Sequence, residues 1–285
     1  MNQMLSWPGL ARVSAMFAFA CALLPVPALA ELMLNPTRVV FTKNQRAAQV
    51  ELINDSTEPA TYRITMVNRR MSEGGEFVDV AEAGPGEQFA DAMLTWSPRQ
   101  TTLQPGTAQV VRLMVRKPEG LADGEYRSHL HFEKLANPGD LASSVEAGAG
   151  GEAKIGVVLK TLIGASIPVI VRHGASEASV ALTGLAMQPR ETGKAPVLAF
   201  ALARSGNSSV YGDLSVTLVT RGGAEHELAR AGGVAVYTPN LLRRASLSLQ
   251  APAGVALSGG QLRLAYRERP EAGGKLLAEA TLALP

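Results

Sequence analysis

The chain has 285 residues, a formal net charge of +2, 18% charged residues and 46% hydrophobic ones. That length can bury one large core or two ordinary ones, and the composition is that of a globular protein, not a disordered one. So small a net charge leaves no electrostatic footprint for nucleic acid or an anionic membrane, and nucleic acid drops out as a partner.

Residues 1–30 read as an export signal. Arg12 precedes an apolar run from Val13 to Leu24, which ends at Pro25 and leads to a small-residue site at Ala28-Leu29-Ala30. The run is short for a membrane span, and nothing later reaches span length, so the mature chain is expected to be soluble, exported and not inserted in a membrane. An uncleaved anchor is the alternative. Cys21 lies inside this signal, followed by "ALLPVPALA", which argues against lipidation. The mature chain has no cysteine, so its stability has to come from packed cores.

The first strand candidate contains "LNPTRVVF", residues 34–41. Leu32, Leu34, Arg38 and Val40 share one parity, so a single strand would aim an arginine along its apolar face. A guanidinium is rarely buried without a partner. Arg38 therefore stands out.

The following segments alternate with period two. Tyr62, Ile64 and Met66 oppose Arg63 and Thr65; Val111, Leu113 and Val115 oppose Arg112 and Arg116. In "EYRSHLHFEK", Tyr126, Leu130 and Phe132 oppose Arg127, His129, His131 and Glu133. Turns such as "SEGGE", "QPGT" and "LADGE" separate the segments, a pattern of antiparallel strands with one face in a core. Residues 138–154 form a Gly/Ala/Ser-rich stretch. A long strand candidate over 155–171 comes next, and a boundary falls near residue 174. Beyond it "ASVALTGLAM", "PVLAFALAR", "DLSVTLVT", "RRASLSLQ", "QLRLAYRE" and "LLAEATLAL" supply further strands. The class is all-β, with two immunoglobulin-like sandwiches over 31–173 and 174–285.

The 155–171 segment is the most unusual. Ile155, Val157, Leu159, Thr161, Ile163, Ala165, Ile167, Val169 and Val171 share one parity, far beyond a common strand length of about five or six residues. It reads as one long core strand, as two strands split near Gly164, or as an edge strand with more apolar teeth than its own domain needs. An exposed apolar edge is an aggregation hazard unless a partner pairs with it.

Taken in order, "PTRVVF", "VELINDSTEPATYRI", "WSPRQTTLQPGTAQVVRLMV", "EYRSHLHF", "IPVIVRHG" and "RSGNSSVYGDLSVTLV" resemble the periplasmic pilus-assembly chaperones of the chaperone–usher pathway. The likeness is strong over 32–174 and weak afterwards. It implies two immunoglobulin-like β-sandwich domains arranged as an L with a cleft between them, in the periplasm. It also implies donor-strand complementation, in which the long strand fills the groove of an incomplete pilus or fibre subunit before delivery to an outer-membrane usher. The donors would be Val157, Leu159 and Ile163, with Ile155 and Thr161 beside them. Self-association through the edge strand in the absence of a client is left open.

In that family the subunit's C-terminal carboxylate docks in the cleft against a first-strand arginine, here Arg38, and a lysine near the end of the long strand. The lysine position holds Pro168, a departure that places the chain nearer a non-classical branch. Arg127 and Arg172 are the candidates to replace the lysine, Arg127 first. Arg127 stands where better-known members carry a glutamate. The resemblance gives Arg172 an interdomain ion pair, which the missing glutamate calls into question.

Other chemistry is thin. His129 and His131 lie two apart on one strand face, but zinc needs three or four ligands; they are expected to be exposed strand histidines. His173 and His226 are isolated. "NDS" and "NSS" read as turns before they read as glycosylation sites. No serine sits in a nucleophile-elbow pattern and no histidine has a triad context, so neither enzymatic activity nor a cofactor is expected. The competing readings are an immunoglobulin-like adhesin or structural fibre subunit, and a secreted hydrolase whose site the sequence does not display.

Overall fold

The computed structural model describes residues 32–136, 145–147, 153–155, 164–189 and 194–285, with backbone alone at 145–147 and 153–155. Its described elements are β-strands and two short 3-10 turns. The first part of the chain holds β1 (Leu32–Asn35), β2 (Val39–Phe41), β3 (Ala47–Asn54), β4 (Ala60–Val67), β5 (Arg69–Met71), β6 (Phe77–Asp79), β7 (Leu94–Ser97), β8 (Gln100–Leu103), β9 (Ala108–Val115) and β10 (Gly124–Lys134). A short pair follows, β11 (Val145–Ala147) with β12 (Ala153–Ile155), and then β13 (Ala165–His173). The rest comprises β14 (Ala178–Met187), β15 (Val197–Gly206), β16 (Val210–Thr220), β17 (Glu225–Val236), β18 (Leu242–Ser248), β19 (Gly260–Arg267) and β20 (Leu276–Leu284).

Two sheets, β1-β3-β9-β7 and β2-β13-β10-β4-β8, close on one core. Alternation does the sorting: Val111, Leu113 and Val115 of β9 turn inward, while Arg112 and Met114 face out. Tyr62 and Ile64 of β4 meet them, with Phe41, Phe132, Val169 and Val171. Burying each such side chain contributes roughly 1.5–3 kcal/mol. The "QPGT" turn between β8 and β9 depends on Gly106 at φ +69°, where a side chain would be strained, and its amide donates to Asn54 O at 2.8 Å. The side chain of Asn54 is buried and donates to the carbonyls of Glu58 and Leu103, so "NDS" is turn chemistry.

A second core lies between β14-β15-β18 and β17-β16-β19-β20. Leu198, Phe200 and Leu202 of β15 face Leu214, Val216 and Leu218 of β16 across it. The fold is thus all-β in two sandwiches. Strand β17 goes beyond the segments read from sequence. It carries Gly232-Gly233 and pairs with β16 through register shifts, which blur any period-two signal. Gly233 adopts φ +68° and its amide donates to Asp213 Oδ1.

Two local expectations change. Leu32 and Leu34 do not share a strand with Arg38: β1 pairs with β3 in one sheet, and β2 pairs with β13 in the other. The chain crosses between sheets at 36–38, which resets the parity. The 155–171 segment is not one strand among the described residues. Ile155 pairs with Val145 in the β11–β12 hairpin, and β13 starts at Ala165. Gly164 directly precedes β13, and an added Cβ there would lie 2.8 Å from the His131 ring. Val157, Leu159, Thr161 and Ile163 lie outside the described residues, as does the signal at 1–30.

Candidate functional site

In β2, Val39 and Phe41 go into the first core, so Arg38 and Val40 must point the other way. That direction leads to the second sandwich. Val40 packs with Met71 and Ile170 of the first sandwich and Tyr211, Ala235 and Tyr237 of the second, a small apolar seam. Ile170 reaches it because β13 is buried on both faces: its odd residues fill the first core and Ile170 fills the seam.

Arg38 sits at the edge of this seam, partly exposed. Its Nη2 donates to Ser209 Oγ at 3.1 Å and its Nη1 to Tyr237 Oη at 3.4 Å. The guanidinium lies 4.6 Å from the Tyr211 ring centroid and 5.3 Å from that of Tyr237, within cation–π range. Both hydroxyl partners are neutral, so the arginine's charge has no carboxylate against it in these contacts. With five N–H donors in a guanidinium, donors remain for another acceptor. Arg38, Val40 and Tyr211 also line a cavity of about 390 Å³ whose far wall is Arg269, Glu271 and Ala272.

Arg172, at the end of β13, makes an ion pair inside the first sandwich, which is not the interdomain pair that the resemblance gives it. Its Nε donates to Glu125 Oε2 at 3.0 Å and its Nη2 to Ser209 O at 3.1 Å. The same Glu125 oxygen accepts from the Ser209 amide and hydroxyl, at 3.0 and 2.9 Å. Glu125 stands two residues before Arg127 on β10, hence on the same face, and its side chain is fully buried. Glu125 thus gives the junction a buried carboxylate, paired with Arg172 inside the first sandwich and joined to the second through Ser209. Ser209 belongs to the "NSS" turn, whose Asn207 is committed to Glu177 N and Ala175 O.

Arg127 is placed differently from an open second cation. It is only 4% exposed and lies 4.4 Å from the Tyr237 ring centroid, with Phe77 beyond at 5.9 Å. Its Nη2 donates to Arg69 O at 3.0 Å, while Nε and Nη1 are buried without a hydrogen-bond partner. Burial lowers its pKa from the ordinary value, with Tyr237 and Glu125 opposing the shift. Burial likewise raises the pKa of Tyr237, against the pull of Arg38 and Arg127, so its hydroxyl stays protonated. Arg127 is part of the seam's wall, packed against Tyr237 and nearly closed to solvent.

His129 is buried as well, not exposed as the sequence suggested; it is 3% accessible and meets the edge of Phe77 at 5.1 Å. Strand β10 is covered on both faces because β5–β6 folds over it, a hairpin that period two over 69–79 is too short to reveal. Burial, then Arg127 and Arg69, push the His129 pKa down to about 3. The β5–β6 hairpin also reaches the second sandwich. Arg244 N donates to Glu73 O at 2.7 Å, and Asn240 Nδ2 to Met71 O at 2.8 Å.

One more feature bears on the site. Strand β13 pairs with β10 along its whole length, but β2 covers only Val169–Val171 on the other side. Among the described residues, Ala165 to Pro168 therefore have a strand neighbour on one side only. Pro168 has no N–H to offer a ladder, which suits an edge. This one-sided stretch ends where β2 begins, beside Arg38.

No protein-family model and no curated protein sequence matches the chain. Among solved structures it is similar to the YadV chaperone, at 11% identity and a TM-score of 0.43, covering 90% of this chain and 100% of that one. It is also similar to the CsuC–CsuE chaperone–tip adhesion subunit complex of archaic Csu pili from Acinetobacter baumannii, at 13% identity and 0.47, covering 88% and 98%. A third is the E. coli chaperone DraB, at 15% identity and 0.42, covering 90% and 97%.

Proposed function

We propose that the chain is a periplasmic chaperone that captures pilus or surface-fibre subunits by donor-strand complementation and delivers them to an outer-membrane usher. In this reading residues 1–30 are the export signal, 31–173 the first domain and 174–285 the second. The observation that carries it is the edge of β13 at Ala165–Pro168, which among the described residues has a strand neighbour on one side only and leads to Arg38. A partner strand laid along that edge would exchange main-chain hydrogen bonds with it, and its end would arrive at a cation.

The chemistry follows from residue types. Upstream of Ala165, with its parity, stand Ile163, Thr161, Leu159, Val157 and Ile155. Strand β10 ends at Lys134, two residues past the Phe132–Ala165 pair, so we read the teeth further upstream as surplus to the first core. Each aliphatic tooth buried in a subunit groove would contribute roughly 1.5–3 kcal/mol, against the ordering cost of binding. Thr161 would need a hydrogen-bond partner there. Arg38 would hold the carboxylate that ends the subunit chain. Neither cofactor nor hydrolysis is required, since groove filling and edge pairing supply the energy.

Co-expression with candidate fibre subunits, followed by native purification, tests this. The wild-type chain is expected to leave the periplasm as a one-to-one complex, and Leu159→Glu with Ile163→Glu to stay folded but empty. Undiminished co-purification with that double variant would sink the donor-strand assignment. Recovery of the chain itself as polymers would point instead to a fibre subunit.

A further inference from the structure

Arg269 follows β19 in the second sandwich and faces the same cavity as Arg38. The two arginines approach one ring. The Arg38 guanidinium is 4.6 Å from the Tyr211 centroid and that of Arg269 is 6.0 Å away, with Nη1 donating to Tyr211 Oη at 3.3 Å. Pro168 cannot supply a second cation, and Arg127 is shut beneath Tyr237. Among the described residues that line the cavity, Arg269 is thus the cation that accompanies Arg38.

Its present partners hold it loosely. Glu271 Oε1 is 3.5 Å from Nη2 and the glutamate is 70% exposed; Asp213 Oδ1 is 3.8 Å from Nε and already accepts the Gly233 amide. Nε of Arg269 is buried with no hydrogen-bond partner. Long, partly solvated pairs of this kind contribute little, so exchanging one for a bidentate carboxylate costs little. The cavity, about 390 Å³, has more room than a carboxylate fills. Val40 and Tyr211 give its wall apolar surface for the side chain that precedes the carboxylate.

We infer that Arg269 is the second cation of the anion site begun by Arg38, so that a terminal carboxylate is gripped by both sandwiches at once. This rests on reading the cleft as a carboxylate anchor, and it assigns the second grip to the second sandwich instead of the long strand. Two consequences are specific to it. Glu271 competes with the incoming carboxylate for Arg269, and bound carboxylate ties the two sandwiches together across Tyr211.

The probe is an acetylated hexapeptide of alternating valine and threonine ending in tyrosine, made as the free acid and as the C-terminal amide. Each is titrated calorimetrically onto the full exported chain. The wild type is expected to prefer the acid. Arg38→Gln should abolish that preference. Arg269→Gln should weaken acid binding by about tenfold and leave amide binding unchanged. Arg269→Lys, which keeps the charge, should recover much of the loss, and thermal melts should show that both variants fold. Glu271→Gln should tighten acid binding by a few-fold. If Arg38→Gln abolishes the preference while Arg269→Gln retains it in full, Arg269 is not the second grip and the anchor reading stands. A wild type that does not distinguish acid from amide overturns both.

Discussion

Glu125 and Arg172 face each other across β10 and β13 in an ion pair of 3.0 Å, and the same carboxylate oxygen takes two hydrogen bonds from Ser209 of the other sandwich. One buried side chain therefore ties two strands of the first sandwich to a turn of the second. Glu125 stands opposite Arg172 in the β10–β13 register, so the pair needs no acidic residue at position 127. A residue two positions away lies on the same face, within reach of the same arginine.

Removing Glu125 should loosen the junction. Glu125→Ala leaves Arg172 without its carboxylate and the Ser209 amide without an acceptor, and should destabilise the protein by about 3 kcal/mol. Glu125→Gln keeps an acceptor and should cost less. Urea unfolding at neutral pH measures both, and an alanine variant within about 0.5 kcal/mol of wild type would show the junction to be held by the apolar seam alone.

Arg38→Ala should separate binding from folding. Inside the protein Arg38 donates to two neutral hydroxyls, on Ser209 and Tyr237, so its loss should cost the fold only about 1 kcal/mol. Subunit binding should fall by roughly 3–5 kcal/mol if a buried carboxylate depends on it. Affinity by calorimetry and stability by urea melts, read on the same variant, decide the matter. Unchanged affinity would remove Arg38 from the site.

Acid should weaken the protein through His129. Its pKa is about 3 in the fold, against an ordinary 6.5. Between these values the unfolded chain binds a proton that the folded one refuses, so stability falls as pH drops from about 6.5 toward 3. The slope approaches one proton, ~1.4 kcal/mol per pH unit. Above pH 6.5 the imidazole is neutral in both states and contributes no slope. His129→Gln should flatten the stability profile between pH 6.5 and 4.5; a profile as steep as wild type would place the acid sensitivity elsewhere.

Much of the strand pattern was legible because exposure imposes period two wherever a strand has one wet face. Val111, Leu113 and Val115 announce themselves in this way, and so do the termini of β14 and β20. The rule fails where both faces are dry. Strand β10 alternates Tyr126 and Leu130 with Arg127 and His129, and reads as half exposed. The β5–β6 hairpin and Tyr237 nevertheless cover its second face, so Arg127 and His129 are buried. Strand β17 escaped notice for the opposite reason, since Gly232-Gly233 interrupts its alternation in mid-strand.

Arg38 shows the division most plainly. From sequence it shares a parity with Leu32, Leu34 and Val40, as if aimed along an apolar face; the change of sheet at 36–38 turns it away from the core that Val39 and Phe41 enter. Which groups it would meet was beyond any local period. Tyr237 lies 199 positions along the chain and Ser209 171, and Glu125 meets Ser209 across 84. Contacts so distant are set by how two sandwiches pack, through shape and apolar area summed over many residues. The alternation of apolar side chains thus determined the strands and their faces, while the packing of one sandwich on the other decided that Ser209, Tyr211 and Tyr237 surround Arg38.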